Sequence, residues 1–307
     1  MRIKKRLLEF FPIFKKLHKL MHSLRVIGQK LCLTGAREVH CAENDLAALV
    51  LNKSYPLGAK GRQIYLPKDK IIYEFIKFRG SWEVEESRFL AKKLMTLCSK
   101  ENQKKVALID IGANTGLVSL QAMNLAGTRN DCILIEPAGS HVAAIKRNFA
   151  NSNFEVVVKE LALSDHDGQV ELFKQKSNLG NSSLLESVIP TSEKISEFVE
   201  IRDSKYFFER EIDIYDSYVL KCDTQGYDPL ILSRIPTSIW NKIESAVIEV
   251  WAIPFIDPSD VMELLEKLSV FSFVSWNSEL SSKADLQEVS RFWLSKTSES
   301  RNLFLSR

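Results

Sequence analysis

The chain has 307 residues, 45% of them hydrophobic, and a net charge of +3, enough for one sizeable core with spare length for an appended element. Its five cysteines, Cys32, Cys41, Cys98, Cys132 and Cys222, show no CxxC spacing and no neighbouring histidine cluster. That pattern excludes a zinc site and reads as reduced thiols in a cytoplasmic protein.

Residues 1–30 carry nine basic side chains against one acid, Glu9, a charge of +8 that leaves −5 for the rest. A nucleic-acid binder spreads positive charge over its reading surface, so the acidic remainder argues against a nucleic-acid partner. The apolar residues of this segment, from Leu7 to Met21, are interrupted by lysines at helical spacing and form no signal-peptide core. No later stretch is long enough to span a bilayer. Two readings of the segment stand. It is a helix packed on the rest of the protein, or, with Phe and Leu on one side and Lys on the other, a peripheral contact with an anionic membrane surface. Pro12 interrupts its periodicity.

From Leu31 to Lys105 the spacing predicts a helical run at Glu43–Asn52, a Gly- and Lys-rich stretch at Pro56–Arg62, and helices over Ile71–Phe78 and Val84–Cys98. From Val106 short apolar strands alternate with helical segments, the signature of βαβ units on a parallel sheet. Strands are predicted at Val106–Ile111, Cys132–Glu136, Glu155–Lys159, Tyr218–Cys222, Ala246–Trp251, Phe271–Trp276 and Asn302–Ser306. Crossover helices are expected at Leu117–Leu125 and Ser140–Ala150, and Gly168–Gln175 alternates like an antiparallel strand beside the sheet. Glu186–Glu211 is charged, lacks a clear period and reads as an insertion over the active face.

The sharpest motif is Asp110-Ile-Gly-Ala-Asn-Thr-Gly116, between a predicted strand and a predicted helix. Gly112 and Gly116 let a ligand approach the backbone, and the helix start presents free N–H groups. A dinucleotide fingerprint needs a glycine where Asn114 stands, and Asp110 would repel a pyrophosphate. An acid there suits instead the ammonium and sulfonium charges of S-adenosylmethionine. Glu136, ending the next strand about twenty residues on, is placed to accept hydrogen bonds from ribose hydroxyls, a role common to both cofactor classes.

In an open α/β sheet the ligand lies beyond the carboxyl ends of the strands, which nominates Asp223 and Glu249 for catalysis. Asp223 could deprotonate an acceptor, hold it by a hydrogen bond, or contact the methionine part of the cofactor. The two carboxylates are not backed by a dense acidic cluster, so no metal is expected. Asn178, Ser182 and Ser183 offer short polar groups for a polyol or for the cofactor.

Taken in order, these motifs resemble the FkbM family of methyltransferases from about Gly80 to the C-terminus. Gly80-Ser-Trp-Glu83, Asp110–Gly116, Glu136-Pro137, Ala162-Leu163-Ser164-Asp165, Asn178–Leu184 and Leu220–Asp228 carry the resemblance; Asp228 stands where the family usually has Glu. It implies a Rossmann-like α/β fold of the class I methyltransferase type: a mostly parallel sheet of seven strands with an antiparallel last strand, flanked by helices. Residues 80–307 would form that domain and residues 1–79 a basic, mainly helical extension. The implied cofactor site comprises Glu83, Asp110, Gly112, Ala113, Asn114, Gly116, Glu136, Pro137, Leu163, Ser164 and Asp165. The implied activity is O-methylation of a hydroxyl on a glycan, glycolipid or secondary metabolite. A nicotinamide-dependent oxidoreductase and a non-catalytic cofactor-binding protein are the rival readings.

Overall fold

A computed structural model describes residues 34–39, 46–98, 105–127, 130–212, 214–254, 256–280 and 283–307. The basic segment 1–30, with both of its readings, lies outside the described residues. In chain order the elements are β1 (Ala36–Val39), β2 (Leu46–Leu51), β3 (Gln63–Pro67), α1 (Ile72–Arg79), α2 (Val84–Cys98), β4 (Val106–Ile111), α3 (Leu117–Ala126), β5 (Asp131–Ile135), α4 (Gly139–Phe149) and β6 (Val156–Lys159). They continue with β7 (Ala162–Ser164), β8 (Gly168–Gln175), β9 (Asn178–Ser183), β10 (Lys194–Asp203), α5 (Ser204–Phe207), β11 (Ser217–Cys222), α6 (Asp228–Ser233), α7 (Thr237–Trp240), β12 (Ile243–Trp251), α8 (Pro258–Leu268), β13 (Phe273–Ser275), α9 (Leu286–Trp293) and β14 (Ser300–Ser306).

The central sheet has seven strands in the order β13-β14-β12-β11-β4-β5-β6, parallel except where β14 runs antiparallel to both β12 and β13. This is the Rossmann-like class I methyltransferase arrangement. Its inner strands read as unbroken apolar runs because both faces are covered. The faces separate by the two-residue period of the strand. Ala107, Ile109, Leu220 and Ile248 pack toward α6, α8 and α9, whereas Leu108, Val219, Val247 and Leu134 pack toward α1–α4 and the N-terminal strands. Asp110, Lys221 and Glu249 fall on the second face by the same parity, which brings three charged side chains to one side of the sheet.

Two predicted segments differ from what forms. Glu43–Asn52, expected as a helix, contains strand β2, paired antiparallel with β1 and β3. Leu46-Ala-Ala-Leu-Val-Leu51 is apolar at nearly every position and has no period of its own, so partner strands decide its state. The described part of residues 1–79 therefore holds three strands and one helix rather than being mainly helical. Glu186–Glu211, read as an insertion without a clear period, contains the strand β10, which joins a second sheet in the order β7-β10-β8-β9. That sheet carries the β8–β9 hairpin over the carboxyl ends of the central strands.

Candidate functional site

The strand order reverses at β4: β5 and β6 lie on one side, β11 and β12 on the other. A crevice opens beyond the carboxyl ends at such a switch point, and the glycine turn forms its floor. Gly112 has φ +73°, and a Cβ there would lie 2.0 Å from the Asp223 carbonyl oxygen. Gly116, also at φ +73°, starts α3, and its Cβ would lie 2.7 Å from the Phe149 ring. Both glycines are thus demanded by the packing of the turn against neighbouring chain, independently of any ligand.

The crevice has two connected chambers. The first has apolar walls from Leu161, Leu163, Leu172 and Ile231, with Glu136 at one side. The Glu136 carboxylate accepts hydrogen bonds from the backbone N–H of Asn114 (2.8 Å) and of Ala138 (2.9 Å), which ties the end of β5 to the glycine turn. His141 Nδ1 lies 3.5 Å from the same carboxylate. The second chamber is lined by Trp82, Glu83, Asn178, Asn181, Lys221 and Glu249. Gly112, Asn114, Gly180, Asp223 and Gln225 border both.

Charge is concentrated in the second chamber. Lys221 Nζ lies 3.5 Å from Asp223 Oδ2 and 3.7 Å from Asp110 Oδ1. Burial disfavours its ammonium, but Asp110, Asp223 and Glu83 together outweigh that and hold its pKa well above the usual lysine value. Gln225 Nε2 donates to Asp223 Oδ1 (2.7 Å) and to Glu249 Oε2 (3.0 Å), bridging the two carboxyl groups. Burial and then the charges of Asp223 and Asp228 push Glu249 well above the carboxylate range. Burial acts on Asp223 in the same direction, yet Lys221 and hydrogen bonds from Glu249 and Gln225 keep it below its ordinary value. Lys221 thus favours the ionised form of Asp223, and burial beside Asp223 favours the neutral form of Glu249. Burial raises Glu83 to about 7, opposed by Lys221 and reinforced by Asp223.

Of the residues singled out in the sequence, Glu83, Gly112, Ala113, Asn114, Glu136, Pro137, Leu163, Asn178, Ser182, Ser183, Asp223 and Glu249 border the two chambers. Asp110 does not face the crevice. Its side chain has no exposed surface, accepts a 2.6 Å hydrogen bond from Ser119 Oγ and turns its other oxygen to Lys221. Its carboxylate therefore lies beneath the crevice, with Lys221 between it and Asp223. Gly116 lies behind the turn against Phe149. Ser164 is buried, and its carbonyl accepts from Ser204 Oγ. Asp165 points outward, 2.6 Å from His166 and 3.8 Å from Arg234.

Lys221, Gln225, Trp82, Asn181 and His141 also line the crevice. The partners of Lys221 come from β4 and from the end of its own strand, so no local pattern marks it. Gln225, at φ +54° just after β11, gave no signal beyond its place in a turn.

No family model matches the chain, and no curated protein matches it. Several solved structures resemble it. A S-adenosylmethionine-dependent methyltransferase from Agrobacterium tumefaciens aligns over 87% of this chain and 75% of its own, at 11% identity and a TM-score of 0.39. One from Clostridium acetobutylicum aligns over 77% and 97%, at 10% identity and 0.39. Fibrillarin from Aeropyrum pernix, with natively bound S-adenosyl-L-methionine, aligns over 88% and 99%, at 9% identity and 0.35. The assignment of fold for this chain rests on the strand order given above.

Proposed function

We propose that this protein is a S-adenosylmethionine-dependent O-methyltransferase of the FkbM type. The observation that carries the reading is the continuity, through Asn114 and Asp223, of an apolar chamber beside Glu136 with a polar chamber holding an ionised carboxylate. The first suits an adenosine: its walls are apolar, and each Glu136 oxygen accepts one backbone N–H and retains a lone pair for a ribose hydroxyl. Asn114 Oδ1 is buried without a hydrogen-bond partner among the described residues, ready for a donor on a ligand. The second chamber opposes a dinucleotide, since the carboxylate of Asp223 borders it and would repel a pyrophosphate.

The cofactor supplies an electrophilic methyl group. What this chain supplies is orientation and a place for the acceptor's proton. Asp223, ionised and facing both chambers, accepts the proton of an acceptor hydroxyl. Glu249, protonated, and Gln225 hold Asp223 in one orientation. The amides of Asn178, Asn181 and Gln225, beside Trp82, suit a polyhydroxylated acceptor such as a glycan, a glycolipid or a hydroxylated secondary metabolite. A glycan or glycolipid is preferred, because a basic, amphipathic segment 1–30 would keep a cytoplasmic enzyme near membrane-linked intermediates. No helix among the described residues is long and apolar enough to cross a membrane.

The test is calorimetry and thermal unfolding with S-adenosylhomocysteine and with NAD. S-adenosylhomocysteine raises the melting temperature progressively with its concentration, by mass action, and NAD does not. A shift with NAD and none with S-adenosylhomocysteine overturns the reading in favour of an oxidoreductase. Binding without turnover on a panel of hydroxylated acceptors would favour the non-catalytic reading.

A further inference from the structure

The outer edge of β3 does not end in water. Tyr65 N donates to Asn148 Oδ1 at 2.7 Å, and Asn148 Nδ2 donates back to Tyr65 O at 2.8 Å. The side-chain amide thus satisfies the free edge as a neighbouring strand would. The second hydrogen of the same Nδ2 goes to Thr115 O, 2.9 Å away, in the glycine turn. Asn148 is 2% exposed, and its own carbonyl accepts from Arg62 Nη2 at 2.9 Å, a second tie to the N-terminal sheet. Beside it Phe149 bears on Gly116, so the end of α4 touches the turn at two successive residues. Thr115 itself lines the second chamber.

We infer that Asn148 is a positioning residue of the cofactor turn, and that through it the N-terminal sheet β1–β3 is a working part of the cofactor site rather than an appended decoration. This rests on the S-adenosylmethionine reading given above. One planar amide joins two segments about fifty residues apart, Tyr65 and Thr115, and both of its N–H groups are committed. If the turn is set by Asn148 and Asn148 is set by the sheet, a ligand that binds the ordered turn must also favour the docked sheet. Coupling of this kind is reciprocal: what the sheet does for affinity, the ligand does for the sheet. The part of the chain that sequence motifs leave uncovered then acts on the part they describe.

Two measurements on the full chain test this with S-adenosylhomocysteine as the probe. In hydrogen exchange of the wild type, the ligand slows exchange at residues 63–67 several-fold as well as in the turn itself; slowing confined to residues 110–137 overturns the inference. In calorimetry, Asn148→Asp keeps the size of the side chain but loses both donated bonds, and raises the dissociation constant roughly tenfold or more, the scale of one or two hydrogen bonds. Asn52→Ala is the control: it removes the bonds from Asn52 Nδ2 to Thr34, at the opposite edge of the same sheet, and lowers stability without moving affinity. Wild-type affinity in Asn148→Asp, or an equal loss in Asn52→Ala, overturns the inference while leaving the cofactor reading intact. Absence of binding by the wild type overturns both.

Discussion

Lys221 and Asp110 are register partners on the adjacent parallel strands β11 and β4, and the ammonium of one lies 3.7 Å from the carboxylate of the other on a buried face of the sheet. The same ammonium lies 3.5 Å from Asp223. A single cation therefore joins a carboxylate sealed beneath the crevice to one that opens into it. Asp110 influences the site through Lys221, and removing it alters the charge of the site without removing a ligand contact.

The first prediction follows. Asp110→Ala leaves a buried ammonium short of one counter-charge, and the fold loses about 3 kcal/mol, the scale for breaking a buried ion pair from one side. Combining it with Lys221→Met removes the uncompensated charge, so the double variant is more stable than Asp110→Ala alone. Urea denaturation of the four proteins of this cycle measures both changes. A double variant less stable than the single one would show that Lys221 is held by other groups.

How far the sequence revealed this site depends on whether a partner is local. Helix α2 over Val84–Cys98 and strand β8 over Gly168–Gln175 form where their periodicity placed them, and β4, β5 and β11 declare themselves as apolar runs because they are buried on both faces. The glycine turn and Glu136 were legible because a strand, a turn and a helix follow one another directly. Asp110 was legible as an acid but not by its destination, since Lys221 is more than a hundred residues away and meets it only through sheet register. The brace at Asn148 was invisible for the same reason: an asparagine near the end of a helix carries no mark of a strand edge far upstream. β2 reads as a helix in the sequence because an all-apolar hexamer leaves helix and strand undecided until β1 and β3 pair with it.

Two glycines with similar φ separate strain from crowding. At Gly127, φ is +62° and a Cβ would meet nothing within 4 Å, so Gly127→Ala costs about 1 kcal/mol for the left-handed backbone alone. At Gly112 the added Cβ would also strike the Asp223 carbonyl oxygen, a backbone atom that cannot swing away. Gly112→Ala is expected to cost at least about 3 kcal/mol, combining that strain with overpacking. Denaturation midpoints of the two variants give the comparison, and equal costs would remove the close approach of β4 and β11 as the reason for Gly112.

The acid groups around the crevice set a pH dependence of defined sign. Burial raises Glu83 from 4.5 to about 7 and Asp228 from 3.8 to about 6. Between the unfolded and folded values the native state binds more protons than the unfolded chain, so these groups make stability fall as pH rises through that window. The stability they contribute is fully present below the unfolded values and is lost as pH rises through the folded value of Glu83, about 7. Glu83→Gln removes the Glu83 share, so its melting temperature declines less than that of the wild type between pH 5 and pH 7. Superimposable curves for the two proteins would mean that Glu83 is ionised in the native state across the range.

The division of roles between Asp223 and Glu249 gives the most direct test of the chemistry. Burial and the neighbouring Asp223 favour the neutral form of Glu249, and a glutamine is close in shape to a protonated glutamate and presents an N–H where the acid presents an O–H. Glu249→Gln is therefore expected to keep most of the turnover, within roughly tenfold, the range of one adjusted hydrogen bond. Asp223→Asn removes the ionised group that takes the proton, so turnover falls by roughly two orders of magnitude or more, the range for losing a positioned base. Binding of S-adenosylhomocysteine, which needs no acceptor and can be measured first, separates the alternatives for Asp223. Unchanged affinity with lost turnover fits a base or hydrogen-bond partner of the acceptor. Affinity that falls in proportion to turnover places Asp223 on the methionine part of the cofactor instead. If Glu249→Gln loses as much turnover as Asp223→Asn, with the cofactor still bound, the proton on Glu249 is part of the reaction and the assignment of the two carboxyl groups must be exchanged.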